Sequence, residues 1–545
     1  MQSKAGKLAD PGRRDFMRMS GLALAGATVP GLFMAGKGRA EGRVLKIINP
    51  TFDMNWSPLI GGGNNYSLFC LNYATPMYFD SETNLHPYVF ETWEPNADFT
   101  VWTFGLKPGA TFSDGSPITA AEVKGSFEVT ARPASKSQRI DQVLSGVVGY
   151  QPVANGEAAE MEGLRAVDDL IFEVTLAAAD PIFFMRVASN LTPIVKASSM
   201  RDENGDEIYE WWHPANAPVA SGPFIQTQMD LDAGMIVFEP NPGFFGPAPK
   251  LARIEVQTIE DNVAATALLQ SGEFQMTTDL VTSTAVQDLG AAFVDGPMIP
   301  RGHHFWLDVN KEPTNDIDVR KALLMAVDRD RLFEASFPDG PGAKADQILT
   351  AVPGVDPDWE PYPFDPEAAR AALAASSYGG PDSLPLIMMV GISNPATEAA
   401  AQFIAEQWRQ NLGIERVEMK PDMDNYSGPD QARIQIFRDD VTSRVPDAAA
   451  FLRTAIHSSS GNARSKMGGY ANPEVDALLD EAVTLAVEDP RRIELAQKAQ
   501  RVFREDYAFI PWQLTVTARY AIPSVQNIEK NLDWQYIEFW NVDLA

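Results

Sequence analysis

A soluble fold that mixes strands and helices over more than one compact unit is predicted by three observations. The chain has 545 residues, which at roughly 150 residues per domain is three to four units, or one fold with several subdomains. Its composition is 45% hydrophobic, 10% aromatic and 21% charged, that of a globular chain rather than a disordered or polytopic membrane one. The third observation is a stretch at 89–130 that reads as strand, turn, strand and capped helix.

In chain order, the first segment reads as an export signal. Arg13 and Arg14 precede Asp15, Phe16, Met17 and Arg18, which resembles the twin-arginine motif. A moderately apolar run from Gly21 to Gly36, broken by Pro30, is too short to span a hydrocarbon core of roughly 30 Å, and Gly38-Arg39-Ala40 is an acceptable small-residue cleavage site. Cleavage is expected near Ala40, after which the protein would be free in the periplasm or its equivalent. Residues 44–52 (VLKIINPTF) then read as an opening strand, followed by a Gly- and Asn-rich loop carrying Trp56 and Tyr66. Within 89–130, FTVWTFGL alternates like a half-buried strand and SDGS is a turn. Thr119 with Glu122 three residues on forms a capping box that opens a helix.

Charge and side-chain chemistry exclude several functions. There are 44 basic and 73 acidic residues, and 44 − 73 = −29; loss of residues 1–40 removes seven Lys or Arg and two Asp, giving 37 − 71 = −34. Such a surface repels nucleic acid and anionic membranes. The single Cys70 excludes an internal disulfide, a cysteine zinc site and an iron–sulfur cluster, and its place in the apolar run SLFCLNY reads as a small buried hydrophobe. Neither His86, His213, His303, His304 nor His457 sits in a metal-ligand spacing, and no Walker A loop or GxGxxG follows a strand. No cofactor is expected.

The residues of the 89–130 stretch carry a resemblance. Trp93, Trp102, Thr103, Phe104, Leu106, Gly109, Phe112, Asp114, Gly115, Thr119, Ala120 and Val123 fall in the frame of a signature of the bacterial extracytoplasmic solute-binding proteins of family 5, the peptide and nickel class of ABC importers; Glu122 stands where that family usually has Asp. PVASGPF at 218–224, the pair Phe244 and Phe245, DIDVRKALLMAVDRDRL at 316–332 with Arg320 and Asp328, FDPEAARAAL at 364–373 and NPEVDALLDEA at 472–482 are similar to further family segments in the same order.

The resemblance implies an α/β, two-lobed periplasmic-binding-protein fold of type II, with mixed sheets, an extra subdomain in the first lobe and the ligand between the lobes. Mapped onto this chain, lobe one would comprise 41–310 and 506–545, with the subdomain near 81–190, and lobe two 311–505, with crossovers near Val309 and Asp506. It also implies a monomeric receptor that is not an enzyme, with a small-molecule or short-peptide ligand, and with membrane permease and ATPase subunits as partners. Most motif residues read as turn or core chemistry: Asp114 and Gly115 as a turn, Trp93 and Phe104 as core, Arg320 and Asp328 as helix caps or pairs.

The expected ligand-binding residues are Asn55, Trp56, Tyr66, Trp306, Arg438 and Arg444. In the family the loop after the first strand lines the cleft, so Trp56 could stack on a ligand and Asn55 or Ser57 could donate hydrogen bonds, with core packing an equal alternative for Trp56. The segment 434–470 resembles the family stretch whose first Asp pairs with a peptide's α-amino group. Laying PDAAAFL on its counterpart puts Asp447 on the second acid, Arg438 on the upstream Arg, Val441 on the Trp and Arg444 on the amine-pairing Asp. That inverts the charge and favours a carboxylate or other anion, which guanidinium holds by two parallel hydrogen bonds. If the loop slips by several residues, Asp439 or Asp440 takes the amine instead. A metal-chelate or haem receptor using His303, His304 and His457, and a periplasmic carboxylate-dependent hydrolase, are the alternatives.

Overall fold

Val44–Asn49 runs parallel to Arg253–Thr258 on one side and to Met276–Thr277 on the other, and Met235–Pro240 and Phe224–Asp230 continue the sheet antiparallel. This is a computed structural model, describing residues 42–545 except 50, 53–55, 61–65, 81–82, 203, 205–206, 279–292, 295–300, 337–341, 350–351, 393–394, 422–432, 442–444, 516–518 and 529–537. The export segment expected at 1–40 lies outside the described residues. No described helix is long and apolar enough to cross a membrane.

A second, antiparallel sheet of Phe90–Pro95, Val101–Leu106, Ile171–Thr175 and Leu164–Ala166 belongs to the same hydrophobic core. Val101–Leu106 turns Trp102, Phe104 and Leu106 inward and its alternate residues outward, as the two-residue period requires. Helix Ala120–Ala131 starts where the capping box places it, Glu122 N donating to Thr119 Oγ1 at 3.4 Å. Its Phe127 meets Phe172 edge-on at 5.6 Å. Phe539, Trp540 and Val542 close this first core, with Trp540 against Tyr88, Tyr78 and Phe244.

A separate core surrounds a six-stranded sheet in the order Gly342–Lys344, Phe509–Thr515, Arg301–Leu307, Ile436–Val441, Ile387–Val390, Val417–Lys420. Helices Ile317–Met325, Pro395–Leu412, Pro473–Thr484 and Pro490–Arg504 contribute its apolar faces. Between the two cores, Phe293–Val294 pairs antiparallel with Arg519–Tyr520. Val309 follows, and Asp506 precedes, strands that both lie in this second sheet.

Strand direction fixes where the loops gather. In the second sheet Ile436–Val441, Ile387–Val390, Val417–Lys420 and Phe509–Thr515 point one way and Arg301–Leu307 the other. The carboxyl ends of these four, and the amino end of Arg301–Leu307, therefore share the edge from which the chain runs to the Phe293–Val294 and Arg519–Tyr520 ribbon. In the first sheet the carboxyl ends at Asn49, Thr258 and Thr277 likewise share an edge. Tyr520 N donates to Thr277 Oγ1 there, at 3.0 Å. Each sheet turns its carboxyl edge toward the crossing, the position at which α/β sheets bind ligands.

Candidate functional site

On the first sheet's edge, Ile259 N donates to Asn49 O at 3.1 Å and Thr278 N to Ile48 O at 3.0 Å, which fixes where the loop after the opening strand leaves. Asn55 lies outside the described residues. Tyr66 opens helix Tyr66–Asn72, and its side chain is also outside them. Trp56 is 1% exposed, between Phe52 and Phe69 with ring centroids 5.3 Å away on either side, so the structure places it in the first core. Ser57 is buried as well.

The second sheet's edge gathers charge. Strands Arg301–Leu307 and Ile436–Val441 are antiparallel, with His303 opposite Asp440 and Phe305 opposite Arg438, so these four share one face. Arg438 Nη2 donates to His303 Nδ1 at 2.8 Å, which makes Nδ1 an acceptor and leaves the neutral ring's proton on Nε2. The guanidinium also lies over the Trp512 ring, 5.7 Å from its centroid. Trp512 reaches this face because the pairing shifts register between His303 and His304. Arg438 is thus half-buried, held in orientation and still positively charged.

The opposite face carries Asp439, His304 and Trp306. Lys466 pairs with Asp439, both mostly shielded from solvent. Burial lifts the Asp439 carboxyl above its ordinary range, and the Lys466 charge offsets part of that rise. His304 is fully buried, edge-on to Trp306 at 5.3 Å and to Phe509 at 5.2 Å. Burial pushes it down to about 3, against a pull upward from Asp440. Neither of its ring nitrogens has a hydrogen-bond partner among the described residues. A Cβ at Gly302 would stand 2.7 Å from His304 Nε2, so a larger residue there would force the imidazole to shift. Trp306 is 0% exposed and belongs to the second core.

Arg444 falls within 442–444, outside the described residues. Just beyond, Asp447 caps helix Ala448–Ile456 by accepting from Ala450 N at 2.8 Å, and receives Arg492 Nε and Nη2 at 2.7 and 2.8 Å. The acid expected second in this segment is therefore a structural anchor. Arg320 caps chain ends too, donating to Asp506 O at 2.8 Å and Thr314 O at 2.7 Å, while Asp328 accepts from Arg331 N rather than meeting Arg320. The structure puts Arg438 within strand Ile436–Val441, opposite Phe305 and bonded to His303, and puts Trp56 and Trp306 one in each core. Trp512 and Lys466 are neighbours that sequence reasoning missed, and His303, named there only as a metal or haem ligand, stands beside Arg438. The family alignment singled out Arg438, with Asp440 only as a rival under a slipped alignment, and nothing local pointed to residues 135 positions away, such as His303. Among the described residues no group of three His, Cys, Asp or Glu side chains is placed to hold a metal ion.

Comparison with known proteins identifies the family and the fold. The profile described as "Bacterial extracellular solute-binding proteins, family 5 Middle" matches residues 84–463. The chain is 28% identical over 462 residues to the periplasmic oligopeptide-binding protein OppA of Salmonella typhimurium, covering 82% of each chain. It is 26% identical over 452 residues to heme-binding protein A of Haemophilus influenzae, covering 79% of each. The unliganded open form of the murein tripeptide-binding protein MppA superposes with a TM-score of 0.76 at 20% identity, covering 92% of this chain and 98% of that one. This last likeness shows the fold, that of the periplasmic binding proteins of this family.

Proposed function

The chain belongs to family 5 of the bacterial extracellular solute-binding proteins, and from that premise we propose that this solute receptor of an ABC importer captures a peptide-like solute bearing an anionic group. The observation that carries the reading is Arg438: a half-buried, permanently charged guanidinium on strand Ile436–Val441 of the second sheet, oriented by His303 and Trp512. A cation positioned in this way suits a carboxylate, which guanidinium holds by two parallel hydrogen bonds. Arg444 is proposed to act with it. A second reading rests on Asp440, which shares the Arg438 face and could take the free amine of the same solute. Asp439 lies on the opposite face of the strand, where Lys466 pairs with it.

Family members are binding proteins and work with permease and ATPase subunits; for this chain we propose likewise a monomer without catalytic activity, exported by the twin-arginine signal at 1–40 and free in the periplasm. We place the lobe crossings at the Phe293–Val294 and Arg519–Tyr520 ribbon rather than at Val309 and Asp506, because the strands flanking both of those sites lie in the second sheet. The subdomain near 81–190 fits the separate sheet of Phe90–Pro95 and its partners.

The test is calorimetric titration with tripeptides carrying free or amidated C-termini and free or acetylated N-termini. The reading expects amidation to weaken binding by about 2 kcal/mol, roughly thirtyfold, and Arg438→Ala to abolish that difference. Equal binding of free and amidated peptides would overturn the anion reading, and loss on acetylation alone would select Asp440.

A further inference from the structure

Two apolar pads, one from each lobe, meet in a cluster separate from both large cores. Ile182 (1% exposed), Val445 (6%) and Ala450 (8%) form a small cluster of their own, flanked by Met185 and Val487. Phe183 and Val187, beside Ile182, belong to the first core; Ala448, Ala449 and Phe451, around Ala450, belong to the second. We propose that this cluster is a clasp that holds the lobes together in the absence of ligand and so sets the opening equilibrium on which capture depends.

Each pad is held in shape by its own lobe. On the first, Ile182 N donates to Asp180 Oδ1 at 3.1 Å, Arg186 Nε donates to Asp180 Oδ2 at 2.8 Å, and Trp102 Nε1 donates to Asp180 O at 3.1 Å. On the second, Asp447 N donates to Val445 O at 2.8 Å, while Arg492 grips the Asp447 carboxylate and reaches Ala482 O and Leu485 O, both at 2.9 Å, in the turn that leads to Val487. Pads fixed beforehand lose little conformational entropy on meeting. Opening must return their side chains to water, a cost in proportion to the apolar area exposed. The apparent affinity of a receptor whose competent state is only partly populated falls by that fraction. The clasp therefore tunes affinity for every solute alike, whereas Arg438 discriminates among solutes. This consequence rests on the receptor reading above; the clasp itself does not.

The test uses the full exported chain without ligand. Dyes at Glu94→Cys and Lys498→Cys, exposed positions on the first and second lobes, report the interlobe distance by single-molecule energy transfer, with buried Cys70 retained. Ile182→Ser and Val445→Ser are each expected to lower the ratio of joined to parted molecules roughly tenfold. The double variant should fall by less than the product of the two, because either truncation already breaks the contact. Should a serine variant fail to melt cooperatively, Val445→Thr, which keeps the shape, is read in its place. An unchanged distance distribution in the folded variants overturns the clasp, and so does a double variant whose effect is the full product. Adding a mixed tripeptide pool to the parent tests the receptor reading separately, since failure to compact would count against that reading and leave the ligand-free result to decide the clasp.

Discussion

Truncating Asp447 to alanine strands the Arg492 guanidinium inside the second lobe, where the two side chains are 7% and 1% exposed. Loss of one partner from a buried pair costs about 3–5 kcal/mol, and loss of the cap on Ala450 N about 1 kcal/mol more. Arg492 Nη1 keeps its bonds to Ala482 O and Leu485 O, which places the pair's loss at the low end of that range and the total with the cap at about 4 kcal/mol. Asp447→Asn retains an oxygen for the cap and isolates the charge. The double replacement Asp447→Leu with Arg492→Met removes both charges and is expected to recover all but about 1 kcal/mol, the cap's share. Urea unfolding followed by circular dichroism is the assay, with the second lobe's transition fitted separately because a chain with two cores need not unfold in one step. An Asp447→Ala variant within about 1 kcal/mol of the parent would refute the claim that a desolvated pair anchors this loop.

Two further expectations concern pH. His304 titrates near 3 in the folded protein, below the roughly 6.5 of an unfolded chain, so its contribution is complete above pH 6.5 and is lost as pH falls toward 3. His304→Leu should flatten the decline in melting temperature between pH 6.5 and about 4, and a slope equal to the parent's would count against the burial argument. Lys466→Ala should raise Asp439 further. A carboxyl whose folded value is raised gives stability below its unfolded range that is lost as pH rises through the folded value, so the variant's melting deficit should be larger at pH 7.5 than at pH 4.5; equal deficits would sink it.

Local grammar was legible. The cap at Thr119, the alternation of Trp102, Phe104 and Leu106, and the family frame around Asp114 and Gly115 depend on residues near one another in sequence, and the structure reproduces each. The aromatic ligand candidates were harder to judge because a large ring in a loop looks the same whether it faces solute or core. Trp56 found Phe52 and Phe69, and Trp306 found His304 and Phe509. Pairings across distance left no trace in the sequence. Asp447 with Arg492 joins two helices, Lys466 reaches back to Asp439 from another segment, and His303 meets Arg438 only because two strands align antiparallel. Sequence could rank Arg438 as a cation in a family loop, while its orientation came from Trp512, delivered by a register shift that no periodicity encodes.

The first core is sealed by Phe539, Trp540 and Val542, and Arg43 bonds Asp543 across 500 positions of chain. The second lobe is strung between the early and late parts of the first. During synthesis, then, the strand begun at Val44 must wait with Tyr78, Tyr88 and Phe244 still lacking their tryptophan until the whole second lobe has emerged. A nascent chain in that condition offers a greasy, half-built surface for many seconds, at ribosomal speeds of roughly 5–20 residues per second, and needs shelter for that time.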